Sequence, residues 1–389
     1  MSEIDRIITI TDRAGTGAPN FTFGVNFAGS DSGLSPHKHT EGNTEPSSPS
    51  NGDTWWDSDN EIYKVYMNNE WKDWLGTSAA ASIGWGGDRG VFAGGDESSP
   101  SVVNRMQYID ITTPGNSTDF GDLYLTARYG SGTSNASRGL HIGGYHDSSV
   151  GLTIIQYVTI SSPGNSQDFG DLLVGLYYYG SSCSDGTKAF TFGGYSTNGV
   201  RNNIQQTVIA TTGNATDFGD LSTYCYYNAS CSDATRAVCG LGRTRPAATS
   251  GSFTAVNTME YITTANTGNS TDFGDLSEIR TQFTGTSDAT RGLFISGIDG
   301  FNNRTNSIDY ITIQTTGNAT DFGDVTTATS RLASCSNSTR GVFGGGGTSS
   351  DSRINVIEYV TIQSAGNATD FGDLAAVNRG LSAFSGNAS

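Results

Sequence analysis

The stretch Gly115-Asn-Ser-Thr-Asp-Phe-Gly-Asp122 sets the frame for the whole chain, because its last four residues return five more times. The phrase Asp-Phe-Gly-Asp begins at Asp119, Asp168, Asp217, Asp272, Asp321 and Asp370, at steps of 49, 49, 55, 49 and 49 residues. Self-similarity at a period of roughly 20–50 residues marks a solenoid, a propeller or a linear array. Upstream of each phrase a basic residue opens a short apolar run toward glycines: Arg89, Arg138, Lys188, Arg236, Arg291 and Arg340, as in Arg340-Gly-Val-Phe-Gly-Gly-Gly346. Between the two lies an alternating segment such as Tyr310-Ile-Thr-Ile313 or Tyr359-Val-Thr-Ile362. Its period of two reads as a half-buried strand.

Each unit therefore supplies about four short strands, the content of one propeller blade. Strand one precedes the basic residue, strand two carries the double glycine, strand three is the Tyr-x-x-Ile segment, and strand four surrounds Asp-Phe-Gly-Asp. The chain ends on a seventh strand one, Leu381-Ser-Ala-Phe-Ser385. Joined to the three strands that begin at Arg89, it would close a six-bladed ring and leave no free sheet edge. Residues Ser78 to Gly84 offer an alternative first strand, and an open solenoid is the rival architecture, although no distinct capping repeat is visible.

Composition agrees with an all-β fold. The chain has 389 residues, 52 Gly, a formal charge of −17 and only 15% charged residues, with lysine at Lys38, Lys64, Lys72 and Lys188 alone. The 17 Tyr, 18 Phe and 5 Trp are too many for a solvated coil. The acidic balance argues against nucleic acid, which needs a basic face to displace phosphate counterions. No apolar run is long enough to span a membrane, and the start Met1-Ser2-Glu3-Ile4-Asp5 lacks the regions of an export signal.

The double glycines that close strand two (Gly94-Gly95, Gly143-Gly144, Gly193-Gly194) and the period make the units resemble kelch-type repeats over residues 84–389, about 49 residues per blade. The resemblance implies a six-bladed kelch-like β-propeller. The late Trp of kelch blades is absent, and Asp-Phe-Gly-Asp-Leu stands in its place, so the likeness carries the fold and no function. Residues common to all blades hold blades together. Phe120, Phe169, Phe218, Phe273, Phe322 and Phe371 are expected between neighbouring sheets. Their flanking aspartates are expected on turn amides or on the basic residue of a blade, with calcium a minor alternative. The Gly-Asn-x-Ser/Thr segments, as at Asn116 and Asn367, read as turn chemistry rather than glycan sites.

Because strands alternate in direction, the loops between strands two and three share a face with the blade-joining segments, and these are the parts that vary. The candidate ligand-binding residues lie there. The two-to-three loops offer Tyr145, His146, Tyr195, Phe301, Arg304 and Arg353, and an insertion in blade four adds Arg243 and Arg245. The blade joints offer Tyr129, Tyr177, Tyr178, Tyr226 and Tyr227 within a larger set that also holds Tyr124, Tyr179 and Tyr224. Rings stack on the apolar faces of sugars while amides take their hydroxyls, so this mixture suits glycan or protein binding. About half of these tyrosines are expected to fill blade cores instead.

No catalytic constellation emerges. Cys183, Cys231 and Cys335 occupy equivalent strand-one positions, which in a ring lie too far apart for a disulfide, and all five cysteines read as buried small residues. The four histidines form no Ser-His-Asp, P-loop or dinucleotide motif. A six-bladed ring is also the sialidase architecture, yet the linear sequence shows no arginine cluster with an acidic pair and a tyrosine. The chain reads as no enzyme and calls for no cofactor. His37 and His39 form the one metal candidate: a His-x-His pair on a strand puts both rings on one face, and three pairs in a trimer would enclose an octahedral ion, as in trimeric phage tail fibres.

Residues 1–35 hold apolar patches, Ile7–Ile10 and Phe21–Val25, that suit a β-rich attachment segment. A linker at 36–54 contains Glu45-Pro-Ser-Ser-Pro49, and 55–76 reads as a Trp-rich β-hairpin module built on Trp55, Trp56, Tyr63, Tyr66 and Trp71. This pattern is similar to Trp-rich modules of virion structural and tail-fibre proteins of tailed bacteriophages, notably those of marine cyanobacteria. The resemblance implies a virion protein assembled in the host cytoplasm, homo-oligomeric and trimeric in the fibre case. It implies contact with other virion proteins through the N-terminal region and adsorption to a host surface glycan or protein. A capsid decoration or tail adaptor with a purely assembly role is the alternative.

Overall fold

The computed structural model describes residues 39–42, 44–50, 53–57, 62–67, 70–73, 86–98, 101–146, 151–176 and 178–388. The chain divides into two units, 1–81 and 82–389.

In the first unit, β1 (His39–Gly42), β2 (Thr54–Asp57), β3 (Ile62–Met67) and β4 (Glu70–Asp73) form one sheet in that order. β1 runs parallel to β2, and the remaining pairs are antiparallel. Trp55 is buried and its indole N–H donates to the Gly42 carbonyl at 3.0 Å. Trp71 packs edge-on against it at 5.7 Å, and the Lys64 ammonium lies 5.1 Å from its ring. The expected hairpin is thus present, with one correction: β1 belongs to the stretch read as a linker. A polar, proline-bearing sequence hides a strand whose carbonyl satisfies the tryptophan. The apolar patches before residue 35, the candidate strand at 78–84 and His37 lie outside the described residues. His39 opens β1.

The second unit is a six-bladed β-propeller, all-β, with no helix among the described residues and therefore none long enough to cross a membrane. Its inner strands run, in blade order, Ser382–Gly386, Ser131–Ser134, Ser181–Ser184, Ala229–Ser232, Thr284–Ser287 and Ala333–Ser336. Blade 1 is completed outward by Arg89–Ala93, Arg105–Asp110 and Thr118–Asp122. The closure is the expected one: the last strand pairs antiparallel with Arg89–Ala93, setting Ala383 opposite Phe92 and Phe384 opposite Val91. The blade 4 insertion folds as a hairpin, Arg243–Arg245 with Thr254–Ala255, but joins the sheet of blade 3 by pairing Tyr224 with Arg245.

Second strands are buried on both faces because each blade is sandwiched between two others, which is why Arg89–Ala93 reads as an apolar run instead of an alternating one. Six apolar clusters fill the six seams. Phe120 lies among Val91 and Met106 of its own blade and Val158 and Ile160 of the next. All six phenylalanines of the repeated phrase are buried. Removing one ring at such a site costs about 3–5 kcal/mol.

Polar latches cross every seam as well. Of the two partners open to the phrase aspartates, the basic landmark residue is not taken. Instead it reaches into the next blade: Arg89 Nη1 donates to the Ile160 and Ser161 carbonyls, Arg138 to Ile209, Lys188 to Thr264, Arg236 to Gln314, Arg291 to Ile362 and Arg340 to Ile111 and Thr112. Those carbonyls lie at the end of a strand where no backbone donor remains, and a guanidinium supplies several donors at once. The five arginines also lie 4.3–4.8 Å over the tyrosine of their own third strand, whereas in the blade of Lys188 that third-strand position is Gln206, paired with Phe190.

The asparagine of each Gly-Asn turn, including Asn165 of Gly164-Asn-Ser-Gln167, accepts at 3.0 Å from the backbone N–H of the second aspartate in the preceding blade, as Asn165 does from Asp122 and Asn116 from Asp373. The glycine of the phrase is fixed by the same contact. At Gly219 (φ 155°) an added Cβ would stand 2.2 Å from the Gly268 carbonyl oxygen of the next blade. One polar third-strand residue per blade (Gln107, Gln156, Gln205, Glu260, Asp309, Glu358) is buried and takes a backbone N–H of the preceding blade.

Candidate functional site

The constant latches occupy the face that carries the Gly-Asn turns. The opposite face is built from the blade joints and the two-to-three loops. Each joint forms a short backbone bridge to the loop of the blade that follows. The paired residues are Arg379 and Asp96 in blade 1, Arg128 and Tyr145 in blade 2, Tyr178 and Tyr195 in blade 3, and Tyr226 and Arg243 in blade 4. Blades 5 and 6 pair Thr281 with Ile298 and Ser330 with Gly347.

One residue beyond each joint the chain turns onto the axis, at Tyr129, Tyr179, Tyr227, Gln282, Arg331 and Gly380, all in the left-handed region with φ between 48° and 66°. Their backbones close a ring. Tyr129 N donates to Gly380 O, Tyr179 to Tyr129, Tyr227 to Tyr179, Gln282 to Tyr227, Arg331 to Gln282 and Gly380 to Arg331, at 2.6–3.1 Å. Gly380 is required sterically, since a Cβ there would sit 2.3 Å from the Tyr129 ring. At the other end of the inner strands the buried serines Ser134, Ser184, Ser232, Ser287, Ser336 and Ser385 line up around the axis. Five of their hydroxyls donate to the carbonyl of a neighbouring serine: 134 to 385, 385 to 336, 336 to 287, 287 to 232 and 232 to 184. An axial cavity of about 80 Å³ lies inside the first ring, lined by inner-strand residues together with Tyr179, Tyr227, Gln282 and Arg331.

The candidate tyrosines form one connected cluster. Tyr145 stacks on Tyr178 (5.7 Å, 10°), Tyr178 meets Tyr195 at 6.4 Å, Tyr195 meets Tyr226 at 5.7 Å, and Tyr226 meets Tyr227 at 4.4 Å. An inner row, Tyr227–Tyr179–Tyr129, continues at 4.6 and 4.5 Å. Arg243 and Arg245 lie over Phe253 at 5.3 and 4.7 Å, and Phe253 packs on Tyr226. Burial pushes the Tyr227 phenol up to about 12, helped by the neighbouring Tyr226, and raises Tyr179 well above its ordinary value, so both are neutral hydroxyls. His146 Nδ1 contacts Thr126 Oγ1 at 2.7 Å.

Tyr129 and Tyr226 are corrections to the candidate set. Each is buried, the first by its place on the axis and the second beneath Phe253, so they support the face rather than present a surface. Tyr177 lies outside the described residues. Tyr124 is 64% exposed on the outer rim, past its blade's last strand, and does not join the cluster. Phe301 is 89% exposed at a loop tip and stands apart.

Arg304 and Arg353 belong to an arrangement the linear sequence did not reveal. Asp96, fully buried, takes Arg353 Nη2 at 2.7 Å, Arg379 Nε at 3.0 Å and Arg128 Nη1 at 3.4 Å. Asp351, 53% exposed, takes Arg379 at 2.5 Å, Arg304 at 3.0 Å and Arg331 at 3.5 Å. Tyr129 Oη lies 3.4 Å from Asp96. An arginine cluster with two carboxylates and a tyrosine therefore does exist near the axis. Burial raises the Asp351 carboxyl's pKa, but hydrogen bonding and charge from Arg379, with Arg331 and Arg304, outweigh it and hold the group below its ordinary value.

The five cysteines are free and buried, and burial pushes the Cys183 and Cys335 thiols up to about 12, where they are inert. Among the described residues no group of three His, Cys, Asp or Glu could hold a metal ion. No protein-family model matches the chain, and no curated protein matches it in sequence.

Proposed function

We propose that the propeller is an adsorption module whose loop-bearing face holds a host surface glycan without chemical change, and that the chain is a virion component of tail-fibre type. The observation that carries the binding reading is the connected tyrosine cluster spanning blades 2 to 4, on the face whose loops differ from blade to blade. Half-buried tyrosines give a sugar ring a rigid apolar platform with hydroxyls at its border. The other face is committed to repeated inter-blade latches. The Trp-rich sheet of the first unit supports the virion reading through its likeness to phage modules, and several copies per particle would multiply weak single sites.

Immunogold electron microscopy of purified particles, with antibody against residues 84–389, tests the placement. Label at distal fibre tips is the expected result. Label on the capsid or tail shaft replaces adsorption with an assembly role, and unlabelled particles overturn the virion reading. For the binding face, Tyr178→Ala and Tyr195→Ala should each lower retention of the labelled protein on host cells by roughly fivefold, in line with about 1 kcal/mol per stacked ring.

A further inference from the structure

The chain as a whole carries −17, yet around Asp96 and Asp351 five arginines share two carboxylates. Neighbouring carboxylates offset only part of this surplus, because each has partners of its own. Glu97 pairs with Arg105, while Asp309 and Glu278 pair with the buried Arg280. Asp299 is occupied by the amides of its own loop, Phe301 N and Asn303 N.

The two aspartates differ in kind. Asp96 is sealed and structural. Asp351 stands at the tip of the turn Thr348–Ser352 with φ 61°, half open to solvent, and rests on three guanidiniums drawn from three different chain segments. A left-handed backbone at a non-glycine residue costs about 1 kcal/mol, and the three arginines offset it. The triad is thus a carboxylate site that the protein fills with its own side chain. Arg331 of that triad also lines the axial cavity beside Tyr179 and Tyr227, and the Arg128 guanidinium lies 5.1 and 4.9 Å from the Tyr129 and Tyr145 rings. Forked cations next to aromatic rings recognise an acid group attached to a flat apolar body.

We propose that the Arg304–Arg331–Arg379 triad binds the carboxylate of an acidic sugar, a hexuronate-type residue of a surface polysaccharide, with Asp351 as its internal stand-in. The sugar's carboxylate takes the guanidiniums as the Asp351 turn lifts away, while its ring lies toward the tyrosines. This inference rests on the glycan reading above and names its ligand class.

Affinity electrophoresis of the full chain through gels containing polygalacturonate, its carboxyl-reduced neutral form, dextran or dextran sulfate tests it. Retardation by polygalacturonate should be at least tenfold stronger than by the reduced polymer and should weaken with salt. Arg331→Gln should lower that affinity about tenfold, and Asp351→Asn should raise it severalfold by removing the competitor. The gain in Asp351→Asn guards against misfolding, which yields only losses. Equal retardation by the reduced polymer overturns this inference while leaving glycan adsorption standing. Equal retardation by dextran sulfate overturns the carboxylate assignment, and no retardation by any polymer overturns both readings.

Discussion

Blades 1 and 3 make the same backbone bridge at the same place, but one fills it with Asp96 and Arg379 and the other with Tyr195 and Tyr178. In blade 1 the carboxylate is fully buried, and its fit depends on three guanidiniums arriving together. In blade 3 the rings meet at 6.4 Å and 61°, a contact that tolerates small changes in shape. One scaffold position can therefore hold either a rigid ionic hub or a forgiving aromatic surface. The ionic half should fail abruptly on substitution and the aromatic half gradually.

The sharpest break in that comparison is Asp96→Ala. It leaves three arginines around an empty buried site and should cost about 3–5 kcal/mol, read as a fall in the urea midpoint. Tyr195→Phe, at the equivalent position, should change it by less than about 0.5 kcal/mol. A loss from Asp96→Ala as small as that would remove the distinction.

His141 sharpens the comparison at the border of the two halves, where its Nδ1 meets Ser382 Oγ of the closing strand at 2.7 Å. Burial pulls its pKa from 6.5 down to about 4, against a smaller opposing effect of hydrogen bonding to the Gly143 backbone. The unfolded chain takes up the proton first as pH falls. Stability is therefore full above about pH 6.5, declines through the window down to about 4, and levels off below it. The total decline is about 3 kcal/mol. His141→Gln should flatten that part of the profile in urea melts at pH 7.5, 5.5 and 4.5.

Smaller again is the stacked pair Tyr145 and Tyr178, whose double-mutant cycle should give a coupling of about 0.5–1.5 kcal/mol. Phe301→Ser is the smallest, within about 0.5 kcal/mol of zero in thermal melts, because its ring covers nothing.

The blades, their closure by the last strand, the seam position of the phenylalanines and the burial of the cysteines were legible because a contact made six times leaves its letters six times. The serine ring leaves a weaker mark, because only the serine itself is common to Thr-Ser-Asn, Cys-Ser-Asp, Thr-Ser-Asp, Cys-Ser-Asn and Phe-Ser-Gly. Repetition gave the positions but not the partners: the phrase aspartates were one of the partners open to Arg89, which binds carbonyls of the next blade. The ionic hub was invisible for the opposite reason. Asp96 meets Arg353 and Arg379 across 257 and 283 residues, once each, with no period to betray them. Tyr129 and Tyr226 looked like their exposed neighbours because a tyrosine letter does not record which side of a turn the ring falls on.

The axial ring of backbone hydrogen bonds has a consequence for how this face can change over generations. Every donor and acceptor in it is main chain, so closure asks for a left-handed residue at each of six places; Tyr, Tyr, Tyr, Gln and Arg comply at five, and Gly380 is fixed by the Tyr129 ring packed against it. The ring itself therefore makes no demand on those five side chains, whatever other contacts each of them makes. A lineage can exchange them one at a time, at about 1 kcal/mol of backbone strain each, and alter the chemistry around the axis without breaking the main-chain ring that closes it.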